Sequence, residues 1–358
     1  MAIASRKEPL VPSFAVKLND KPLANDLALW IVSATVDDSL NKPSMFTLQL
    51  ISKEDERSTK AWTDDPRLAL GAKVELSMGY GTDLARLIVG DIMSLEPTFT
   101  TGGPPTLLVR GYDRRNRLNG ARRHRSFQSL SDSKIAEAVC KDLVGIKSTD
   151  SGVEYEQVFQ KQSDLEFLLA RAEAIGYELA MDDTKDSDGM TILFSPIANG
   201  AASVATLTLN DDLLEFHPRL ALEPKTKVRL FGWDPKIKDA IDVSASADSA
   251  PAMAGKPLGL REKAFVVFGE TVETVVHAVA NVAEASKLAA GNYYKAVLSD
   301  ITGAGTARGR TDIRAGKVIT LDGLGDVFNG NYYVESAEHR YSPRAGYLTD
   351  FHVKRNAS

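Results

Sequence analysis

The chain has 358 residues, 43% of them hydrophobic and 25% charged, and a formal net charge of −5. That length allows two or three domains with cores of their own, and the composition excludes a disordered or membrane-embedded chain. So small a net charge supplies no global field toward nucleic acid or an anionic membrane, and with Cys140 as the only cysteine neither an intrachain disulfide nor a cysteine-built metal cluster can form. Residues 1–10 lack the apolar core of a signal peptide and no stretch has the length of a membrane helix, so cytoplasmic synthesis and folding are expected.

Residues 12–113 read as β throughout. Residues 14–18 and 46–50 alternate apolar and polar, and the alternation over 73–78 places Val74, Leu76 and Met78 on one buried face. Turn chemistry separates the runs at Asn19-Asp20, Asn41-Lys42-Pro43, Gly79-Tyr80-Gly81 and Gly102-Gly103-Pro104-Pro105. After Gly120 the period changes to that of an α+β insert. Ser131 or Asp132 caps a helix with the stripe Ile135, Val139, Leu143, which holds Cys140 as a structural thiol and ends at Gly145. Ser163-Asp164-Leu165-Glu166 is a capping box that opens a second helix, stopped by Gly176. Residues 177–181 and 190–194 then form a hairpin over an acidic turn at 182–188. Strands resume at 205–209 and 227–231, a Ser/Ala/Asp/Pro-rich linker covers 243–256, and residues 271–288 read as a helix with Val272, Val275, Val276, Val279 and Val282 on one side. Residues 292–354 return to β.

The strand signals of the first part recur near the end. Gly71-Ala72-Lys73-Val74-Glu75-Leu76, Gly90-Asp91-Ile92 and residues 107–110 find counterparts in Gly316-Lys317-Val318-Ile319-Thr320-Leu321, Gly330-Asn331-Tyr332 and residues 350–354. Three matches in the same order with similar gaps point to a duplicated β module, although such punctuation also arises by chance in β-rich chains. The expected fold class is mainly β, with two related β-barrels, an inserted α+β domain and a helix decorating a barrel. The expected domains are a first barrel at 10–115 with return strands at 203–234, an insert at 116–199, and a second barrel at 235–358 with a helix at about 271–290.

Chemistry-bearing motifs are sparse, and no cofactor is expected. The histidines His124, His217, His277, His339 and His352 show no metal-gripping spacing, and surface or half-buried structural roles are expected for them. Gly303-Ala304-Gly305-Thr306-Ala307-Arg308-Gly309-Arg310 is one residue too long for a phosphate loop and carries Arg310 in place of its lysine, so a flexible hairpin loop is expected. Gly323-Leu324-Gly325 lacks the third glycine of a dinucleotide site, and no Gly-x-Ser-x-Gly elbow is present. The pairs Asp37-Asp38, Asp64-Asp65 and Asp211-Asp212 are adjacent in sequence and face opposite ways in a strand, so they cannot flank one substrate bond. The densest charge feature is Arg110, Arg114, Arg115, Arg117, Arg122, Arg123 and Arg125, beside His124. Guanidinium forks match nucleic-acid phosphates and also the carboxylates of a neighbouring subunit. Aromatic residues for base stacking are few, Tyr112 and Phe127, which favours a subunit interface or a solvated face.

The chain resembles the phage late control D family, the baseplate hub proteins of contractile tails and injection systems, and the hub portion of VgrG-type spike proteins. The resemblance is carried by Pro43-Ser44-Met45-Phe46-Thr47-Leu48, by the Gly71 and Gly90 motifs, and by Val109-Arg110-Gly111-Tyr112-Asp113-Arg114. It continues through Gln162-Ser163-Asp164-Leu165-Glu166-Phe167-Leu168 and Gly176-Tyr177 to Gly330-Asn331-Tyr332-Tyr333-Val334, His339-Arg340-Tyr341-Ser342 and Gly346-Tyr347-Leu348-Thr349. It implies tail-tube-like barrels and a structural, non-enzymatic homotrimer whose six barrels adapt a hexameric tail tube to a trimeric spike, with baseplate wedge proteins as further partners. No spike extension follows the last strand, so the spike is expected to be a separate polypeptide. The alternative is a tail-associated cell-wall hydrolase or carbohydrate-binding tail protein.

Overall fold

A computed structural model describes residues 11–51, 65–101, 103–184, 187–198, 200–222, 225–234, 236–246, 259–276, 279 and 281–356. Among the expectations above, those resting on residues 1–10, Asp64, Gly102, 185–186, 247–256, His277 and 357–358 lie outside it. The alternating N-terminal segments form β1 (Pro12–Leu18), β2 (Lys21–Pro22), β3 (Ile31–Ser39), β4 (Met45–Ile51), β5 (Lys73–Tyr80), β6 (Asp83–Thr98) and β7 (Thr106–Asp113), with the short α1 (Asn25–Ala28) between β2 and β3. Their order in the sheet is β3-β4-β7-β6-β5-β1, antiparallel at every step. Val74, Leu76 and Met78 are fully buried, as the alternation requires, against Val36, Phe46, Leu48 and Val109.

The insert begins with β8 (Arg125–Ser131), α2 (Asp132–Cys140), β9 (Gly145–Ser148), β10 (Glu154–Gln160), α3 (Asp164–Ala174), β11 (Tyr177–Met181) and β12 (Thr191–Pro196). Ser163 and Glu166 form the capping box of α3, and Gly176 takes a φ of 70° just past its end. The expected hairpin is the antiparallel pair β11·β12. Gly145 does not end α2: the helix stops at Cys140 and Gly145 opens β9, which runs parallel to β12.

The remaining elements are β13 (Ala205–Thr208), β14 (Leu213–Leu220), β15 (Lys227–Asp234), β16 (Asp239–Ala245), α4 (Leu260–Phe268), β17 (Val272–Val276), α5 (Val282–Val297), β18 (Ile301–Arg308), β19 (Val318–Asp322), α6 (Gly325–Phe328), β20 (Gly330–Ser342) and β21 (Gly346–Arg355). Six of them form a second barrel within the same sheet, in the order β14-β18-β21-β20-β19-β13, and a bridge between Leu209 and Leu213 brings β13 back to β14. Ile319, Tyr332, Phe351 and Val353 fill this second barrel.

The two barrels repeat each other rung by rung. Gly71 and Gly316 both have left-handed φ, 81° and 84°, and their N–H groups donate to Ile92 O and Val334 O at 2.7 and 2.9 Å. Ile92 N and Val334 N donate in turn to Ala72 O and Lys317 O, at 3.0 and 2.8 Å. The register shifts after Ile92 in β6 and after Val334 in β20, and after Ile31 in β3 and Leu213 in β14. Bulges of this kind are placed features of a sheet, and their coincidence makes β3, β4, β5, β6 and β7 the equivalents of β14, β18, β19, β20 and β21. The counterpart of Gly90 is therefore Tyr332, two residues beyond the Gly330 that the sequence match selected. Between the copies β3 pairs with β20, joining both barrels into one sheet.

Further sequence expectations differ from the structure, among them the linker expected from residue 243, whose first residues complete β16. The strands expected to return to the first barrel go elsewhere: β13 and β14 belong to the second, and β15 pairs with β16 and β17 in a separate sheet. The helix expected at about 271–290 is β17 followed by α5, because the valine run has the β-branched character that favours a strand. α5 packs mainly with β15, β16 and the insert in one core that includes Val228, Ile241, Leu288, Tyr293, Leu168 and Phe194, and its Tyr294 reaches Val318 and Tyr333 of the second barrel. The glycine-rich segment expected as a hairpin loop is β18, a central strand whose Gly303 and Gly305 lie under the rings of Phe216 and Phe351.

The same close approach occurs in the first barrel at Gly111, where a Cβ would stand 2.2 Å from Asp91 O and 2.4 Å from the Phe46 ring. Gly111→Ala is expected to cost about 1–3 kcal/mol of stability in urea unfolding, whereas Gly120→Ala, with nothing within 4 Å, leaves the midpoint unchanged.

Candidate functional site

The arginine cluster is spread over five environments. Arg110 pairs with Glu96 at 3.3 Å, and Arg114 and Arg117 share Asp91 at 3.3 and 3.0 Å. Arg123 and Arg125 converge on Asp164 at the start of α3, the former at 3.2 Å, and Arg122 is exposed. The Arg110–Glu96 pair is half open to solvent and contributes little to stability, whereas Asp91 and Asp164 lie largely out of solvent. Arg115 differs: it is 1% exposed and lies inside the molecule, so within the chain it is a joint residue and has no free surface to offer a neighbour.

Asp113 caps the short helical turn Arg114–Leu118 by accepting from Arg115 N at 2.8 Å, and this turn places the Arg115 side chain beneath β7. Arg115 Nη2 and Nε donate to Asp113 Oδ2 at 2.7 and 3.0 Å, Nη2 donates to Ser44 Oγ at 2.9 Å, and Nη1 donates to the Leu179 carbonyl of the insert at 2.9 Å. Ser44 Oγ donates onward to Asp38 Oδ1 at 2.9 Å. Asp38 Oδ2 accepts from Arg314 Nε at 2.6 Å, and Arg314 Nη2 reaches the Leu87 carbonyl of β6 at 2.7 Å. One buried chain of polar groups thus runs from the insert through the first barrel to the β18–β19 connection. Burial would raise the Asp38 carboxyl, but Arg314 and Arg115 hold it below the usual carboxylate range. His339, expected to be at or near the surface, is fully buried on β20 at this seam, with Nδ1 2.8 Å from the Tyr347 hydroxyl. Burial and the Arg314 charge bring its pKa down to about 3, which keeps the ring neutral.

Beside this joint a cavity of about 640 Å³ opens between the insert, α5 and β20, bordered by Leu40, Gly176, Glu178, Tyr294, Lys295 and Tyr333. The Tyr333 hydroxyl donates to Glu178. Burial pushes the Glu178 carboxyl up to about 7 against the lowering effects of Tyr333, Lys354 and Lys317. The Tyr294 hydroxyl is buried with no hydrogen-bond partner among the described residues. Its walls present hydroxyls and a carboxyl that changes charge near neutrality, a set suited to holding a polar group. Sequence reasoning missed Glu178 because its outward position in β11 reads as a solvent face.

The other candidates stay apart. His217 is exposed beside Glu215, and His124 and His352 are exposed. Cys140 is buried in the insert core, where burial raises its thiol to about 12. Asp37 and Asp38 point to opposite faces of β3, half-buried and buried, and Asp65 caps a short helical turn. Among the described residues no helix is long and apolar enough to cross a membrane.

Comparison with known proteins agrees with this architecture. The family model described as Alg8 N-terminal domain matches residues 9–342, and the chain belongs to that family. No curated protein sequence matches significantly. Among solved structures the chain is similar to the 43 kDa tail protein of prophage MuSo2 from Shewanella oneidensis, at a TM-score of 0.70 and 15% identity over 96% of this chain and 98% of that one. It is also similar to the tail protein of Neisseria meningitidis MC58, at 0.67 and 13% identity over 96% and 97% of the two chains. The E. coli c3393 protein, a type VI secretion component described as similar to the T4 tail proteins gp27 and gp5, aligns at 0.58 and 12% identity over 96% of this chain and 77% of that one. The fold is that of phage tail proteins.

Removing one partner of a buried pair strands the other charge, so Arg115→Ala is expected to lose about 3–5 kcal/mol while Arg122→Ala changes stability by less than about 0.5 kcal/mol, both read by chemical denaturation. Glu178 supplies a pH signature. A carboxyl whose folded pKa is raised binds its proton more tightly in the native state, so the associated stabilisation is present at acid pH and is lost as pH rises through about 7. Glu178→Gln, neutral at every pH, is therefore expected to gain stability relative to the unsubstituted chain between about pH 5 and pH 8, by up to about 3 kcal/mol, with no gain below about pH 4.

Proposed function

We propose that this member of the Alg8 N-terminal domain family is a structural, non-enzymatic baseplate hub of a contractile tail or injection system. Three copies form a ring of six barrels, which meets a hexameric tail tube on one side and a separate trimeric spike on the other, with baseplate wedge proteins around it. The observation that carries this reading is the rung-by-rung equivalence of the two barrels. A closed trimer of identical chains has only threefold symmetry, and a chain holding two equivalent barrels presents six similar units to a sixfold partner. The tail-protein fold of its structural neighbours supports the same role.

In domain terms the proposal assigns β1–β7 to the first barrel, and β13, β14 and β18–β21 to the second. The insert, with β15–β17 and α5, forms a third lobe. Of the arginine cluster, the half-buried Arg110 and the exposed Arg117, Arg122 and Arg123 are available to neighbouring subunits, and Arg115 is reserved for the joint inside the chain. Light scattering on the purified chain, with negative-stain imaging of its mixture with tube and spike proteins, is expected to show a trimer and a capped tube. A chain that stays monomeric alone and with both partners counts against the hub.

A further inference from the structure

The seam inside the chain has a counterpart that a single chain leaves unused. Beyond its bulge, β20 turns an edge to β3, with Ala337 opposite Asp38, His339 opposite Val36 and Tyr341 opposite Ala34. The equivalent of β20 in the first barrel is β6. Beyond its own bulge β6 runs on from Ser94 to Thr98 with β7 on one side, while β5 pairs only as far as Asp91, so the other side meets no described strand. The equivalent of β3 in the second barrel is β14, paired with β18 on one side and, among the described residues, touched on the other only by the bridge at Leu213. The two kinds of edge that meet at the seam are thus both left over, one on each barrel.

Their side chains repeat the pattern of the seam. There the inner face holds Ala34, Val36 and Asp38 of β3 and Ala337 and His339 of β20, all buried, and the outer face holds the polar Thr35, Asp37, Glu338 and Arg340; the counterpart of Asp38 on β14 is Leu220. Carrying the same register to the unused edges places Phe216, Pro218 and Leu220 of β14 and Leu95, Pro97 and Phe99 of β6 on the inner face. All six are apolar, and Phe99 and Leu220 are 67% and 42% exposed in the lone chain. The outer positions are His217 and Arg219 on β14, and Ser94, Glu96 and Thr98 on β6, with Glu96 opposite Arg219.

We infer that β14 of one copy lies antiparallel against residues 94–99 of a second copy, with Leu220 opposite Leu95 and Arg219 opposite Glu96. The inference rests on the ring reading above and deepens it by naming its intersubunit joint. The contact is head-to-tail, the kind that closes into a ring when the rotation permits. Pro97 and Pro218 fall opposite each other. Proline donates no N–H and blunts an edge against arbitrary strand addition, so the match is left to the apolar face and the flanking charges.

Paired cysteines test it in the full-length chain. Adjacent cross-strand pairs alternate between wider and closer spacing, so Leu95→Cys with Leu220→Cys and Glu96→Cys with Arg219→Cys are both made. Glu96→Cys with the exposed Leu214→Cys is the off-register control. Mild oxidation is expected to give a non-reducing gel ladder that stops at three chains for at least one in-register pair, with the control remaining a single chain. An oligomer seen by light scattering that cross-links through neither in-register pair, or as readily through the control, overturns the joint and leaves the hub standing. A chain that is monomeric alone and with tube and spike proteins overturns both.

Discussion

A carboxylate inside the wall between the two barrels fixes much of the remaining structure. Asp38 lies on β3, opposite Ala337 of β20, on the line where the barrels become one sheet. Its charge survives burial because Arg314 and Arg115 approach it from opposite barrels' connections. A stranded charge at such a place costs several kcal/mol. A slip of β3 by one residue would turn Asp37 inward and carry Asp38 away from Arg314, since strand neighbours face opposite ways. The pair therefore selects the register of the seam as much as it stabilises it. The neutral, buried His339 on the facing strand allows Arg314 to stay charged beside it.

The sequence was legible where a segment's own pattern decides its structure. Alternation located β1, β4 and β5, and a local capping box located α3, because in each case the information lies within a few residues. It failed where a distant partner decides. Gly303 and Gly305 look like loop residues until Phe216 and Phe351 are known to lie across them. The valines after Thr271 fit a helical stripe equally well, and only the parallel pairing of β17 with β15 settles them as strand. Arg115 was visible as one of a cluster of arginines, but its burial depends on Ser44 and Leu179, far away in the chain. Glu178 was invisible for the same reason, since its partner is Tyr333.

What the duplication preserved is also informative. Side chains diverged freely: a ring covers a glycine in both barrels, but Phe46 of β4 lies over Gly111 of β7 in one, and Phe351 of β21 lies over Gly305 of β18 in the other. The covered glycine lies on β7 in the first barrel and on β18 in the second, and the two ring–glycine pairs occupy different rungs. Bulge positions and the left-handed Gly71 and Gly316 did not change, because they set where each strand bends and which edge it offers next. The copies part at their last strand, where β1 runs antiparallel to β5 and β13 runs parallel to β19. The parallel strand follows from the route of the chain, which enters the second barrel from the insert rather than from an adjacent hairpin.

The insert is held by consecutive residues of one strand. The Leu179 carbonyl accepts from Arg115, which belongs to the first barrel's joint, and the Glu178 carboxyl accepts from Tyr333 of the second barrel. β11 therefore meets each barrel through a different chemistry, one based on a permanently charged guanidinium and the other on a carboxyl that titrates near neutrality. The approach of α5 tightens the arrangement, since Gly291 lies so close to Ala174 that a Cβ would stand 2.4 Å from its carbonyl oxygen. Acidification protonates Glu178, so the contact with the second barrel changes its hydrogen-bonding state while the contact with the first does not involve that carboxyl.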